Sequence, residues 1–294
     1  MNGHEGLAAR FEADRAHLRG VAYRMLGSLE EADDAVQRAW LRADRSDLDG
    51  VANPTGWLTT VVARVCLDML RSRRRRGEEP LSAVADVAAG GHRDGSGPEE
   101  EAVLAESVGR ALLVVLDRLG PAERVAFVLQ DLFAVPFEEI ATVVGRTPAA
   151  SRKLASRARA RVRGEATVGA VDLARHAAVV EAFLAATRGG DLDALVELLA
   201  PDVVRRADRH AVPADVAGDV RGARAVAEET RVFSRGARAA EVALVDGRPG
   251  LVVAPAGRLR VVLRLTVEDG RITVMEVISD PVGLRRVRLA TGGF

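Results

Sequence analysis

The sequence predicts a multidomain protein: two all-α domains, the second ending in a helix-turn-helix, followed by an α+β domain. Three observations predict it. Apolar residues recur at helical spacing from residue 7 to 76, and again from about Ala102 to Arg163. Between these stretches, residues 77–101 (GEEPLSAVADVAAGGHRDGSGPEEE) are rich in glycine, proline and acid, as a linker is. Beyond residue 170 a helical stretch gives way to strand-like runs: AAEVALVDG, GLVVAP, RLRVVLRLTVEDG and RITVMEVIS. The boundaries that follow are 1–80, a linker at 81–104, 105–165 and 166–294.

A length of 294 residues suits two or three domains. Hydrophobic residues at 48% supply a core for each, and aromatics at 3% make those cores aliphatic. Lys+Arg 42 balance Asp+Glu 42, so bulk charge does not argue for nucleic acid and only its local distribution can. The single cysteine, Cys66, excludes an internal disulfide and fits a reducing cytoplasm. It lies in the apolar pattern VVARVCLDML and reads as a core residue. The N-terminus is charged, unlike a signal peptide, and no apolar run approaches the roughly 20 residues that span a bilayer. A cytoplasmic protein without membrane contact is expected.

In the first helical stretch Leu18, Val21, Ala22 and Met25 form one apolar face. Ala35, Val36, Ala39 and Trp40 form the next. Gly27–Ser28 breaks the pattern, and Ser28 with Glu31 has the spacing of a capping box. Glu30, Glu31, Asp33 and Asp34 then open a helix, where the macrodipole favours acids. The same acids also suit a protein-binding face. After the loop DLDGVANP, Pro54 or Thr55 starts a long helix that ends in RSRRRR. On it Thr60, Arg64 and Asp68 share one face at i, i+4 and i+8, while Trp57 reads as core.

In the second stretch AVLAESVGRALLVVLDRL is a helix, and PAERVAFVLQDLF starts another with proline at its first position. PFEEIATVVG is a short helix ending at Gly145, which suits the positive φ of a tight turn. TPAASRKLASRARARVRG follows, with Thr147 as N-cap and Pro148 behind it. Ala141 is small enough for close crossing, so the pair makes a helix-turn-helix. The second helix holds Arg152, Lys153, Arg157, Arg159, Arg161 and Arg163, with no acid between Arg146 and Gly164. On a neutral protein this is a local basic patch. Its early residues suit base edges and its later arginines phosphates. A merely solvated helical face is the alternative.

These motifs, in this order, resemble the two conserved domains of extracytoplasmic-function (ECF) sigma factors of bacterial RNA polymerase, over segments 10–76 and 105–163. EEADDAVQRAW resembles the segment that docks on the polymerase clamp. The resemblance implies Asp33, Asp34, Gln37 and Trp40 for that contact. NPTGWLTTVVARVCLDMLRSRRRR resembles the segment that recognises and melts the −10 element, implying Thr60, Arg64, Asp68 and Arg71. The helix-turn-helix resembles the −35 reading domain, implying Arg146, Ser151, Arg152, Lys153, Ser156 and Arg157. Ser151 departs from the family, which often has an aliphatic residue there. Its hydroxyl either loosens helix packing or lends a polar contact. Strand opening needs an unstacked base held in a pocket, and the resemblance places that pocket at the loop DLDGVANP. The acidic linker would repel nucleic acid and reads as a tether.

Residues 171–290 resemble SnoaL-like domains of the NTF2-like fold, a curved antiparallel sheet wrapped over helices to leave a cone-shaped pocket. The segments DLDALVELLAPDVV and VRGARAVAEETRVF and the strand series match in order. In the sigma-factor subgroup with this appendage, the resemblance implies a domain that adjusts activity in place of a separate anti-sigma protein. Two motifs of the subgroup are missing. RADRHAV stands where an Asp-Gly-Gly-Gly-Lys stretch is usual, and only GEEP where a Trp-Leu-Pro-Glu-Pro motif is usual.

The resemblance therefore implies an alternative sigma factor with core RNA polymerase and promoter DNA as partners, and contact between its C-terminal and sigma domains. No cofactor, metal or catalytic residue is expected, and a small-molecule ligand stays open. Two other readings remain. One is a one-component DNA-binding regulator that senses a small molecule. The other is a SnoaL-type isomerase or cyclase fused to a sigma remnant, in which Asp208 and His210 would exchange protons. Arg205, Arg206 and Arg209 crowd that stretch, which reads as a charged surface loop, and His176 reads as structural.

Overall fold

The structure, a computed structural model, describes residues 2–44, 51, 53–76, 109–211, 218–233 and 236–292. The acidic linker, most of the loop DLDGVANP and the residues before Gly109 lie outside these. The described chain divides into two compact units. One holds residues 2–76 and 116–161, the other 109–115 and 162–292.

The first unit opens with α1 (Asn2–Leu26), α2 (Leu29–Ala43) and α3 (Pro54–Arg76), which pack on one another. α1 buries Phe11, Leu18, Val21, Ala22 and Met25, the face its periodicity predicts. Gly27 takes φ +77° and Ser28 caps α2, its hydroxyl accepting the Glu31 amide at 3.4 Å. Only half of the predicted capping box is made, because the Glu31 carboxylate pairs with Arg73 on α3 instead. α3 buries Leu58, Val62, Val65, Cys66 and Leu67, and it meets α1 and α2 as well as two later helices. Trp57, read from sequence as core, is half-buried.

Those later helices are α5 (Pro121–Phe127) and α6 (Phe137–Val144); α4 (Arg110–Asp117) precedes them and α7 (Pro148–Arg163) follows. The single helix predicted for PAERVAFVLQDLF is α5 continued by one π-helical turn, Val128–Leu132. Pairing of α3 with α5 and α6 puts the two predicted sigma segments in one unit, except at residues 109–115 and beyond 161.

Complete burial drives the Cys66 thiol far above its ordinary range, because the thiolate would lose its water. Iodoacetamide at pH 8 is therefore expected to leave Cys66 unmodified in the native chain and to label it in urea. Equal labelling rates in the two conditions would contradict its burial. The folded thiol keeps its proton where the unfolded one loses it, so this group's contribution to stability is intact below about pH 9. It then falls by about 1.4 kcal/mol per pH unit above that.

The second unit contains α8 (Ala170–Gly189), α9 (Leu192–Leu198), β1 (Leu199–Ala207), β2 (Asp219–Arg221) and α10 (Ala223–Val232). It continues with β3 (Ala240–Val245), β4 (Arg248–Val253), β5 (Val261–Glu268), β6 (Arg271–Ile278), α11 (Pro281–Arg286) and β7 (Leu289–Ala290). The strand order is β2-β1-β6-β5-β4-β3-β7. The helix predicted through Ala200 stops at Leu198, where the chain enters β1. The expected all-antiparallel sheet is mixed, since β1 pairs parallel with β6, Val204 opposite Val274. The long stretch between these two strands supplies the crossover that a parallel pair needs. Asp269–Gly270 turns with φ +48° and +76°, as predicted for a hairpin, and Asp246–Gly247 does the same with +52° and +83°. Phe183, Leu195, Val203, Val226, Leu265 and Met275 lead an aliphatic core formed by α8 to α10 and the sheet.

Candidate nucleic-acid interface

The turn between α6 and α7 is set by local chemistry. Gly145 takes φ +70°, and its amide and that of Arg146 both donate to the Ala141 carbonyl at 3.0 Å, which closes α6. Thr147 then caps α7, its hydroxyl accepting the Ala150 amide at 3.2 Å. Ile140, Ala141 and Val144 of α6 and Ala155 and Ala158 of α7 are buried.

The cations of the turn and of α7 fall into two classes. Arg146, Arg152, Lys153 and Arg157 are exposed, as is Ser156. Among the described residues none of these four cations meets a carboxylate. Arg152 lies over the Phe137 ring, 5.0 Å from its centroid, a cation–π contact that restrains the side chain. Arg159 forms a fork with Asp131 at 2.6 and 3.0 Å, and this hydrogen bonding holds its pKa above the ordinary value. Arg161 pairs with Glu123 at 2.9 Å. The basic patch read from sequence is therefore narrower by two arginines, whose guanidiniums brace α7 against the preceding segment. Ser151 is a second correction. It is fully buried and its hydroxyl donates to the Thr147 carbonyl at 3.0 Å, so it packs the helix and does not face an interface. Ser151→Ala is expected to change the melting temperature by no more than about 3 °C, since the lost bond has its acceptor still held by the Ser151 amide.

On α3, Thr60 is half-buried with its hydroxyl on the Trp57 carbonyl, while Arg64, Asp68 and Arg71 are exposed. Asp68 faces Arg42 at 3.4 Å, and Arg64 donates to the Thr142 carbonyl of α6 at 3.2 Å. On α2, Asp33 pairs with Arg19 at 2.8 Å and Asp34 with Arg38 at 2.7 Å. Gln37 is exposed, and Trp40 packs on Phe11 with centroids 5.0 Å apart. Leu41, absent from the sequence-derived set, is 58% exposed and follows Asp33 and Gln37 on the same face at four-residue steps.

The stretch read as a charged loop is built differently. Arg205 lies in β1, buried, its Nε 2.9 Å from Glu229 and its Nη1 donating to the Gly218 carbonyl. The Asp208 carboxylate accepts the amides of Ser279, Asp280 and His210 at 2.6, 2.8 and 2.9 Å. His210 is exposed, 3.8 Å from Asp280. Asp208 thus fastens a loop with both oxygens.

The Sigma-70 region 2 family matches residues 11–76, and the Sigma-70 region 4 family matches residues 109–162. Over its whole length the chain is 35% identical to the whole of the probable ECF RNA polymerase sigma factor SigI of Mycobacterium tuberculosis. It is 39% identical to the ECF sigma factor SigJ of the same species, across 93% of this chain and 91% of that one. The chain belongs to the ECF RNA polymerase sigma factors. A crystal structure of Mycobacterium tuberculosis SigJ covers 95% of this sigma factor and 98% of its own chain at 34% identity, with a TM-score of 0.43. As an alternative sigma factor the protein directs promoter recognition and transcription initiation, with core RNA polymerase and promoter DNA as its partners. The extension beyond residue 162 lies outside both matched regions but within the full-length similarity to SigI. No described helix is long and apolar enough to cross a membrane.

Proposed function

We propose that α7 and the turn before it read the −35 element through Arg146, Arg152, Lys153, Ser156 and Arg157. α3 engages the −10 strand through Thr60, Arg64, Asp68 and Arg71, and α2 docks on the polymerase clamp through Asp33, Asp34, Gln37 and Trp40. The C-terminal domain adjusts the output, and the protein works in the cytoplasm where the polymerase is. The observation that carries this is the set of exposed cations, without a carboxylate partner among the described residues, at and after a left-handed glycine turn. Such cations gain by displacing counterions from phosphates, and those near the helix start reach base edges.

The arrangement of the first unit implies a further step. The two promoter elements lie some 25 base pairs apart, roughly 85 Å of duplex at 3.4 Å per pair. In this structure Arg64 of the −10 face holds a carbonyl of the helix-turn-helix. α3 and α6 must therefore part before both elements are engaged.

Run-off transcription with purified core polymerase, on genomic fragments that include the protein's own upstream region, tests the reading. Promoter-specific transcripts that depend on the protein support it. Silence with polymerase, together with tight binding to duplex DNA without it, would replace it with a one-component regulator.

A further inference from the structure

Region 4 begins with α4, whose N-cap position is Gly109, a residue without a side chain to offer the helix. The missing acceptor comes from 130 residues away. The Ala111 amide, second in the helix, donates to Oε2 of Glu241 on β3 at 2.6 Å. That is the bond an N-cap side chain normally makes, and a carboxylate there also meets the positive end of the helix dipole. The opposite end of region 4 is held in the same way. The Val162 carbonyl, in the last turn of α7, accepts the amide of Thr291 at 2.8 Å and its hydroxyl at 2.9 Å. Thr291 directly follows β7, and β7 pairs with β3, Leu244 opposite Ala290. Neighbouring strands of one sheet edge therefore grip the first and last turns of region 4.

We propose that this edge is a clamp through which the C-terminal domain positions region 4, with Glu241 as its positioning residue. The proposal deepens the regulatory reading above and rests on it. Glu241 acts in this proposal through α4. It fixes where α4 starts, and the chain from α4 to α7 carries the −35 helix. A cavity of about 510 Å³ lined by Arg110, Glu181, Arg188, Glu241 and Thr291 opens beside both grips. Water reaches the clamp there, so amide exchange at Ala111 reports its opening.

The test uses full-length Glu241→Ala and Glu241→Gln, the second keeping an acceptor oxygen. Hydrogen exchange over residues 109–116 is compared with transcription by reconstituted holoenzyme on two templates that differ only in the −35 element. Glu241→Ala should raise exchange at Ala111 roughly tenfold, the scale of a lost cap. It should also cut the stimulation given by the −35 element several-fold, while leaving transcription from the template without that element unchanged. Glu241→Gln should restore most of both. Unaltered exchange in Glu241→Ala, or faster exchange with full −35 stimulation, would overturn the proposal. If Glu241→Ala disrupts β3, Thr291→Val removes one donor from the other grip. It must weaken −35 stimulation in the same direction, or the clamp is refuted. A wild-type chain with no −35 stimulation on any promoter would sink the parent reading, and this one with it, whatever the exchange data.

Discussion

Ending the chain after Glu165 is expected to destabilise region 4 by about 3–5 kcal/mol and to lower its melting temperature by more than 10 °C. Such an end point looks natural from the sequence, because it falls between the helix-turn-helix and the α+β domain. The burial pattern says otherwise. Ala111, Leu113, Val114 and Val115 of α4 are all at most 5% exposed, and residues 109–115 cluster with the C-terminal unit. Leu113 sits against Gly257 so closely that a methyl group there would lie 3.0 Å from its Cδ1. Uncovering one leucine costs about 1.5–3 kcal/mol, and losing the Glu241 cap adds about 1. The Val162 carbonyl also loses its two donors. Against a total stability of about 5–15 kcal/mol this is a large fraction. An apolar helix face so bared also invites association between copies. Thermal unfolding and size-exclusion chromatography of residues 1–165 measure both effects. A monomer that melts with the full-length protein would show that α4 needs nothing beyond residue 165. Polymerase binding through α2 is expected to survive, since that surface lies wholly in the first unit.

Local signals were legible in the sequence. Gly145 at positive φ, Thr147 as a cap and Asp269–Gly270 as a hairpin each depend on residues within a few positions of one another. Pairings set by distant chain were not legible. Nothing in RARARVR distinguishes Arg157 from Arg159, yet Asp131, 28 residues away, takes one and leaves the other. Ser151, read from sequence as loosening the packing or lending a polar contact, is fully buried with its hydroxyl on the Thr147 carbonyl. The parallel β1–β6 pair and the Glu241 cap join residues about 70 and 130 apart, beyond any periodicity. Leu41 was missed for a different reason: a leucine beside a tryptophan on an amphipathic helix reads as core. The mixed character of the sheet was hidden for the same reason, since strand order is a property of pairing and not of strand content.

The division of the α7 cations into paired and unpaired classes yields the sharpest expectation for the interface. Arg157→Ala removes an exposed charge with no carboxylate beside it among the described residues. If it meets a phosphate, holoenzyme binding to a duplex promoter should weaken at all sequences, and the slope of log K against log salt should fall by about one. Arg152→Ala acts nearer the helix start. If it meets a base edge it should cost about 1–3 kcal/mol, a five- to 150-fold loss, and relax preference at one position of the −35 element. The two sites lie more than one helical turn apart, so a double variant should lose roughly the product of the two factors. Arg159→Ala gives the contrasting case. Its guanidinium is already neutralised by the Asp131 fork, so few counterions are released through it and the salt slope should hold. What it should lose is stability, by about 1 kcal/mol, as Asp131, 19% exposed, is left without its partner. Measuring binding at four or more salt concentrations for these variants separates the classes. A steeper change in slope for Arg159→Ala than for Arg157→Ala would mean that the fork opens on DNA. The unpaired cations would then not be what marks the −35 face.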